Sequence, residues 1–377
     1  MTNTARACRI EAAVQKSLGC QASVRELPHR HVQLRAEALI IQRSIPELLD
    51  LDRLAEALVG RASLETLCTV RWQDEGLPVR ALTLGAVEPD APVLLCVGGV
   101  HGLERIGAQV VLGFVETLVA AQRWDRTLGD LLRGVRVCFL PVLNPIGVLL
   151  RWRSNGAGVD LMRNAPVEAE RGGLPWALYR GQRWSAKLPW YRGDAERLEP
   201  EARALCDWFE RQASRSRFIL ALDVHSGFMG ADRLWFPYAK TRTLFPHVAE
   251  LLAFKQVLDE TYPRHRYVIE PQSLQYTTHG DLWDYIYDAH RARRPETTML
   301  PLTLELGASS WLRKSLRVLD KAAFFHPLTP HRTARVLRRH VQLFELLLRA
   351  TYSWDRWANL GPRERTRLTL RAQALWT

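Results

Sequence analysis

Three residues of this chain combine side-chain types that bind metal ions with a spacing that suits a metal site. His101 and Glu104 lie three residues apart after the pair Gly98-Gly99, and His225 follows a second apolar stretch. Imidazole nitrogens and a carboxylate suit zinc, and a catalytic zinc site uses three protein ligands plus an open position for water. The three residues are therefore a candidate metal site. A His-x-x-Glu turn or a strand-end histidine also occurs as an ordinary hydrogen-bonded feature.

Glu305 is an isolated carboxylate within the apolar segment LPLTLEL. Burying an unpaired carboxylate costs several kcal/mol, so this side chain either pairs with an arginine or takes part in chemistry. A carboxylate in a partly dry site beside a metal ion has the properties of a general base for water. The residue alone is consistent with an ion pair and with a catalytic base.

Two arginines, Arg153 and Arg163, follow the apolar segment 135–140 at a short distance. A guanidinium group can bind a substrate carboxylate or stabilise an oxyanion. The chain contains 52 lysine and arginine residues and has a formal charge of +12. In such a chain, either arginine is also consistent with an ordinary surface position.

Short apolar runs alternate with helical patterns and predict the elements that position these side chains. Predicted strands cover about 78–84, 93–97, 135–140, 218–224 and 300–306, and predicted helices about 199–212, 245–258 and 331–350. This alternation predicts an α/β fold with a mixed, mostly parallel twisted β-sheet and helices on both faces. The candidate metal ligands follow the carboxyl ends of two strands, where open α/β sheets bind their ligands.

The same patterns suggest a division of the chain. Residues 1–44 are polar and weakly periodic and are interpreted as an N-terminal extension. Residues 45–350 are interpreted as the catalytic domain and residues 351–377 as a C-terminal tail. The segment 165–198 is rich in glycine, proline and tryptophan, which is typical of a functional surface loop or a lid.

Composition excludes several other classes of protein. With 47% hydrophobic and 24% charged residues, the chain has enough apolar residues for a large core. Its 6 cysteines form no Cys-x-x-Cys motif, and the first residues lack an apolar leader, so a reducing cytoplasm is expected. No apolar run is long enough to span a membrane. Because the arginines are scattered, no nucleic-acid partner is expected, and the oligomeric state is left open.

The ordered set of motifs resembles the zinc carboxypeptidase (funnelin-type metallocarboxypeptidase) family. The set comprises HxxE, NPxG, the segment from Arg153 to Asn164 (RSNGAGVDLMRN), YRG followed by EPE, a strand-end His-Ser and the late Glu305. The resemblance covers about residues 45–350. The chain is similar to a divergent, bacterial-like member of this family, related to its murein-peptide amidase and succinylglutamate desuccinylase/aspartoacylase branches.

The resemblance implies a metal centre and its supporting residues. His101, Glu104 and His225 match the ligands of one zinc ion per chain. Glu305 matches the base that activates water. Asp160 matches the acid that orients the first zinc-binding histidine, a role that fixes the ring and its tautomer.

The resemblance also implies residues that contact the substrate. Arg153 matches the arginine that stabilises the oxyanion, Arg163 the arginine that binds a terminal carboxylate, and Tyr276 the tyrosine that closes over the substrate. Asn155 and Met162 lie among the substrate-binding positions. Met162 departs from the family pattern, which has asparagine before the second arginine (DLNRN rather than DLMRN). The loss of an amide donor predicts looser recognition of a carboxylate.

These implications predict a zinc-dependent hydrolase that cleaves an amide bond in a peptide or peptide-like substrate, near a free carboxylate. A metal-activated water would attack the bond, with Glu305 as general base. An N-acyl amino-acid deacylase of the desuccinylase/aspartoacylase type is the alternative enzyme. A non-catalytic binding protein on the same scaffold is a more distant alternative.

Overall fold

The apolar runs of the sequence form the centre of one eight-stranded sheet. Its strands are β1 (Ala62–Trp72), β2 (Glu75–Gly85), β3 (Val93–Gly98), β4 (Arg136–Leu140), β5 (Phe218–Gly227), β6 (Arg233–Phe236), β7 (Val268–Pro271) and β8 (Thr298–Gly307). Their order across the sheet is β1-β2-β4-β3-β5-β8-β6-β7. The central strands β4, β3, β5 and β8 are parallel, whereas β2 pairs antiparallel with β4 and β6 pairs antiparallel with β8. The predicted mixed α/β sheet is confirmed.

Ten helices accompany the sheet in the part of the chain that this computed structural model describes, which is residues 44–170, 177–227, 230–307 and 330–377. They are α1 (Pro46–Ala57), α2 (Arg105–Ala121), α3 (Arg126–Gly134), α4 (Pro145–Leu150), α5 (Pro200–Ala213), α6 (Val248–Thr261), α7 (Leu282–Arg293), α8 (Pro330–Tyr352), α9 (Trp354–Trp357) and α10 (Pro362–Trp376). Apart from Ser44, the predicted N-terminal extension 1–44 lies outside the described residues. Residues 171–176 of the predicted surface loop also lie outside them.

Burial explains why the central strands are continuous apolar runs. Every residue of β3 and β4 is buried, which requires cover on both faces of the sheet. Helices α2 and α8 contact both β3 and β5, and the rings of Phe114 and Phe344 stack between these helices at 4.3 Å. The central strands are therefore held within the core, and they position the residues at their ends.

The C-terminal residues form helices that pack on the rest of the domain. Helix α10 contacts α6, and the indole Nε1 of Trp376 donates to the carbonyl of Ile269 at 3.0 Å. The Trp376 ring also lies 4.8 Å from that of Phe236. The predicted tail 351–377 is thus folded, and the described residues belong to one compact unit. None of the described helices combines the length and the apolar character needed to cross a membrane.

Candidate metal centre

The side chains of His101, Glu104 and His225 meet at the carboxyl ends of β3 and β5. One ligand atom from each residue lies within 4.8 Å of the others. His101 Nδ1 lies 3.0 Å from Glu104 Oε1, and His225 Nδ1 lies 3.2 Å from both His101 Nδ1 and Glu104 Oε2. All three side chains are buried. The three candidate ligands from the sequence are therefore brought together.

The turn between His101 and Glu104 is held by close backbone packing. A Cβ atom at Gly102 would lie 1.8 Å from the carbonyl carbon of Gly147, so only glycine fits there. Asn144 caps α4 by accepting from the Gly147 backbone at 2.8 Å, and its amide donates to the Val100 carbonyl at 3.1 Å. The NPxG motif therefore fixes the loop that carries the first two ligands.

A buried aspartate faces the outer nitrogen of each histidine. His101 Nε2 lies 3.0 Å from Asp160 Oδ1, and His225 Nε2 lies 2.9 Å from Asp223 Oδ2. Although burial opposes its charged form, Asp223 and Glu104 raise the pKa of His225 well above its ordinary value. Burial likewise opposes the ionised form of Asp160, but Arg153 and His101 hold its pKa well below the usual range.

The donor set fits a divalent cation. The aspartates favour protons on the two Nε2 atoms, which leaves a lone pair on each Nδ1. Those lone pairs and the Glu104 carboxylate face one another within about 3 Å. Such an arrangement is stabilised by a positive charge among the three groups, which is either a proton on His225 or a metal ion that replaces it.

Formal charge supports the same conclusion. Four carboxylates and two guanidinium groups lie in or beside this cluster: Glu104, Asp160, Asp223 and Glu305, with Arg153 and Arg163. Carboxyl groups therefore outnumber guanidinium groups there, which favours a bound cation.

Glu305 lies beside the ligands because of strand register. The parallel pairing of β5 with β8 places Glu305 directly opposite His225. Burial raises the pKa of Glu305 to about 7, against the lowering effect of His225. The structure therefore places this carboxylate next to the candidate metal ligands.

Arg153, Arg163 and Tyr276 lie near the cluster. Arg153 Nε donates to Asp160 Oδ2 at 2.9 Å, and its Nη1 lies 3.5 Å from Glu104 Oε1. Arg163 Nε donates to a backbone carbonyl at 3.0 Å. Burial raises the pKa of Tyr276, while the neighbouring Arg163 acts in the opposite direction. All three predicted residues are thus close to the cluster.

Met162 and Asn155 have contacts of a different kind. Met162 is only 6% exposed and belongs to the main apolar core. The Asn155 amide donates to Glu199 at 2.9 Å, and its oxygen accepts from the backbone of Ala157 and Val159 at 3.0 Å each. Both ends of this amide are engaged by the chain itself, so these predicted substrate-binding residues stabilise the loop and the core in this conformation.

Two residues near the site were not assigned a role from the sequence. Asp223 precedes His225 by two positions on β5, so both side chains lie on the same face of the strand. Trp283 at the start of α7 donates from Nε1 to Asp223 Oδ2 at 2.8 Å. The Asp-x-His spacing was a signal for the first residue. No local signal connects Trp283 to a residue 60 positions earlier.

Comparisons with solved structures agree with the fold. Bovine thrombin-activatable fibrinolysis inhibitor superposes with a TM-score of 0.56 at 17% identity, over 85% of this chain and 95% of that one. Carboxypeptidase A from Helicoverpa armigera gives a TM-score of 0.54 at 20% identity, over 97% and 86% of the two chains. Identities this low show a shared fold and no more.

Sequence comparison identifies the family. Carboxypeptidase E from Caenorhabditis elegans is 27% identical over 223 residues, which is 54% of this chain and 42% of that protein. The chain thus spans less than half the length of this relative. The zinc carboxypeptidase family model matches residues 63–315. Because that match covers more than half of the chain and every residue of the candidate metal centre, the protein belongs to the zinc carboxypeptidase family.

Proposed function

We propose that this protein is a zinc-dependent hydrolase that cleaves an amide bond in a peptide or peptide-like substrate, near a free carboxylate. The observation that carries the proposal is the convergence of His101, Glu104 and His225, with Glu305 beside them. Three protein ligands would leave a fourth zinc coordination position for water and substrate, as a catalytic site requires.

His101, Glu104 and His225 would hold one zinc ion per chain. When bound, zinc acts as a Lewis acid that polarises the scissile carbonyl and makes water acidic enough to attack near neutral pH. Backbone contacts hold the ligands in place, including a 2.9 Å hydrogen bond from the Ser226 amide to Glu104 Oε2.

Glu305 accepts a proton from the attacking water and returns it to the leaving nitrogen. Because burial raises its pKa to about 7, this carboxylate can both take up and release a proton near neutral pH. Its position beside His225, one of the candidate metal ligands, supports this role.

Arg153 stabilises the negative charge that develops on the carbonyl oxygen. Its side chain is 27% exposed, so the group is accessible while Asp160 and Glu104 orient it. A fixed donor of this type stabilises the transition state more than the ground state, since the charge appears only there.

Arg163 binds the free carboxylate of the substrate, and Tyr276 lies above it. Arg163 is buried, and its Nε is held by a backbone carbonyl. Its two Nη atoms would therefore bind the substrate carboxylate in a fixed orientation. Tyr276 packs edge-to-face against Tyr179 at 5.8 Å and Trp235 at 6.0 Å. These aromatic groups would cover a bound substrate from the solvent side.

Metal analysis combined with a substrate panel tests the proposal. The purified protein should contain one zinc per chain and hydrolyse peptides with a free C-terminus. Matched amidated peptides and N-acyl amino acids complete the panel, and Glu305→Gln serves as the control for contaminating hydrolases. Preferential cleavage of N-acyl amino acids would support the deacylase alternative instead. Absence of zinc, or turnover that Glu305→Gln leaves unchanged, would overturn the proposal.

A further inference from the structure

Asp223 is a completely buried carboxylate at 0% exposure. Among the described residues, neither a lysine nor an arginine makes a salt bridge with it. Its Oδ2 atom lies 2.9 Å from His225 Nε2, close to it but outside hydrogen-bond geometry, and accepts the Trp283 indole hydrogen at 2.8 Å. Its Oδ1 atom has no hydrogen-bond partner in the described part of the chain. A buried charge with so little compensation is costly unless a nearby cation offsets it.

His225 connects Asp223 to the metal ligands. One ring nitrogen, Nδ1, faces His101 and Glu104, and the other, Nε2, faces Asp223. A carboxylate next to Nε2 favours a proton on that atom, which leaves the lone pair of Nδ1 for a cation. Asp223 therefore lies on the opposite side of the His225 ring from the candidate zinc position. It acts on that position through the ring.

Trp283 restricts where the Asp223 carboxylate can be. An indole nitrogen is only a donor, so it can neither repel the carboxylate nor accept the histidine proton. Trp283 is buried at the first turn of α7, and Asp281 caps that helix by accepting from the Trp283 backbone at 3.0 Å. The start of α7 thus fixes the carboxylate that faces His225.

We propose that Asp223 and Trp283 are positioning residues that set the tautomer and orientation of His225 for zinc, through the contact of Asp223 with Nε2. The inference rests on the proposed zinc-hydrolase function. It assigns to His225 a support equivalent to the one that Asp160 and Arg153 provide for His101. The two supports differ because Asp160 is also bound by a guanidinium group, whereas Asp223 is bound by a neutral indole.

Zinc affinity, measured by competition with a chelator, tests the proposal without using turnover. Asp223→Asn keeps the size of the side chain and removes its charge, and we expect zinc to bind about 10- to 100-fold more weakly. Trp283→Phe removes only the donor, and we expect a smaller loss of about threefold to tenfold. Trp208→Phe is the matched control, because Trp208 is buried in α5 and its Nε1 has no partner in the described residues. It should bind zinc like the wild type.

Two further measurements separate positioning from general stability. In ¹⁵N-histidine spectra of the zinc-loaded protein, His225 should bind zinc through Nδ1 and keep its proton on Nε2 in the wild type, and Asp223→Asn should lose or weaken this pattern. The stabilisation of Asp223→Asn by added zinc, measured as the difference in unfolding temperature between its metal-free and zinc-loaded states, should be smaller than that of the wild type.

The outcomes distinguish this inference from the proposed function. A wild-type protein that binds no zinc overturns the proposed function. A wild-type protein that binds zinc, with Asp223→Asn of equal affinity and unchanged tautomer, overturns only the positioning role. If Asp223→Asn does not fold, Trp283→Phe decides, and wild-type zinc affinity in that variant overturns the inference.

Discussion

Glu305 on β8 lies directly beside His225 on β5, as partners in a parallel strand pair. Side chains of paired residues point to the same face of a sheet, so the carboxylate and the imidazole share one edge of the site. This relationship explains why a single carboxylate occurs in an otherwise apolar strand. It also supplies a direct test of the proposed base.

Glu305→Gln should fold, retain zinc and lose about 10²- to 10⁴-fold in kcat, because a neutral amide cannot take a proton from water. Zinc content and steady-state kinetics on the same preparation measure both properties. Glu65→Gln, at the half-buried edge strand β1, is a matched control for loss of one carboxylate. Turnover of Glu305→Gln at the wild-type rate would mean that Glu305 has a structural role.

Removal of either histidine ligand should abolish tight zinc binding. His101→Ala and His225→Ala each leave two ligands where a zinc site normally needs three. Metal content after dialysis against a weak chelator is the measurement. His265→Ala, which changes a histidine outside the metal centre, should leave zinc content unchanged. Full zinc content in both ligand variants would place the metal elsewhere.

Arg163→Ala should weaken binding of a substrate with a free carboxylate far more than binding of its amide counterpart. A charge-assisted pair contributes about 1.5–3 kcal/mol, which corresponds to about 10- to 150-fold in kcat/KM. Arg183→Ala, whose guanidinium donates to the backbone carbonyl of Gly193 at 2.7 Å, controls for loss of a loop arginine. Equal losses of kcat/KM on both substrates would show that Arg163 does not bind the substrate carboxylate.

Met162→Asn should lower stability and leave substrate discrimination nearly unchanged, because the side chain is buried in the apolar core. Burying an amide without partners costs about 1–3 kcal/mol, whereas Met162→Leu should cost less than about 1.5 kcal/mol. Urea unfolding and the carboxylate-to-amide ratio of kcat/KM measure the two effects. A gain of discrimination for the free carboxylate in Met162→Asn would instead place residue 162 at the substrate.

Two buried histidines outside the metal centre should make the fold sensitive to acid. Burial lowers the pKa of His247 to about 4 and that of His340 to about 4. An unfolded histidine has a pKa of about 6.5, so between these values the unfolded chain binds protons that the folded chain does not. The free energy of unfolding should therefore fall as pH drops from about 6.5 to about 4, by up to about 3 kcal/mol per histidine.

The difference between wild type and His340→Gln isolates this effect. Other titrating groups cancel in the difference, so the variant should lose less stability than the wild type between pH 7 and pH 4.5. Urea unfolding at several pH values provides the measurement. Parallel stability curves for the two proteins would contradict a neutral buried His340.

The sequence was sufficient for the central strands and for the order of the candidate site residues along the chain, but it did not predict the outer strands β1, β6 and β7. Apolar runs predicted the central strands because residues of a sheet covered on both faces are buried at every position. His101, Glu104 and His225 follow the ends of such runs, and open α/β sheets bind their ligands at the carboxyl ends of parallel strands. Buried strands and the residues that follow them depend on local sequence patterns, which can be recognised in one sequence.

Only the tertiary structure decided which of these side chains meet. The register of β5 with β8 places Glu305 beside His225, although the two residues are 80 positions apart. Contacts of Asp223 with Trp283 depend in the same way on where α7 packs against the sheet. The sequence also could not show that Met162 faces the core. A local pattern records periodicity and burial, whereas contacts between distant residues depend on strand order and on the competition of all side chains for one core.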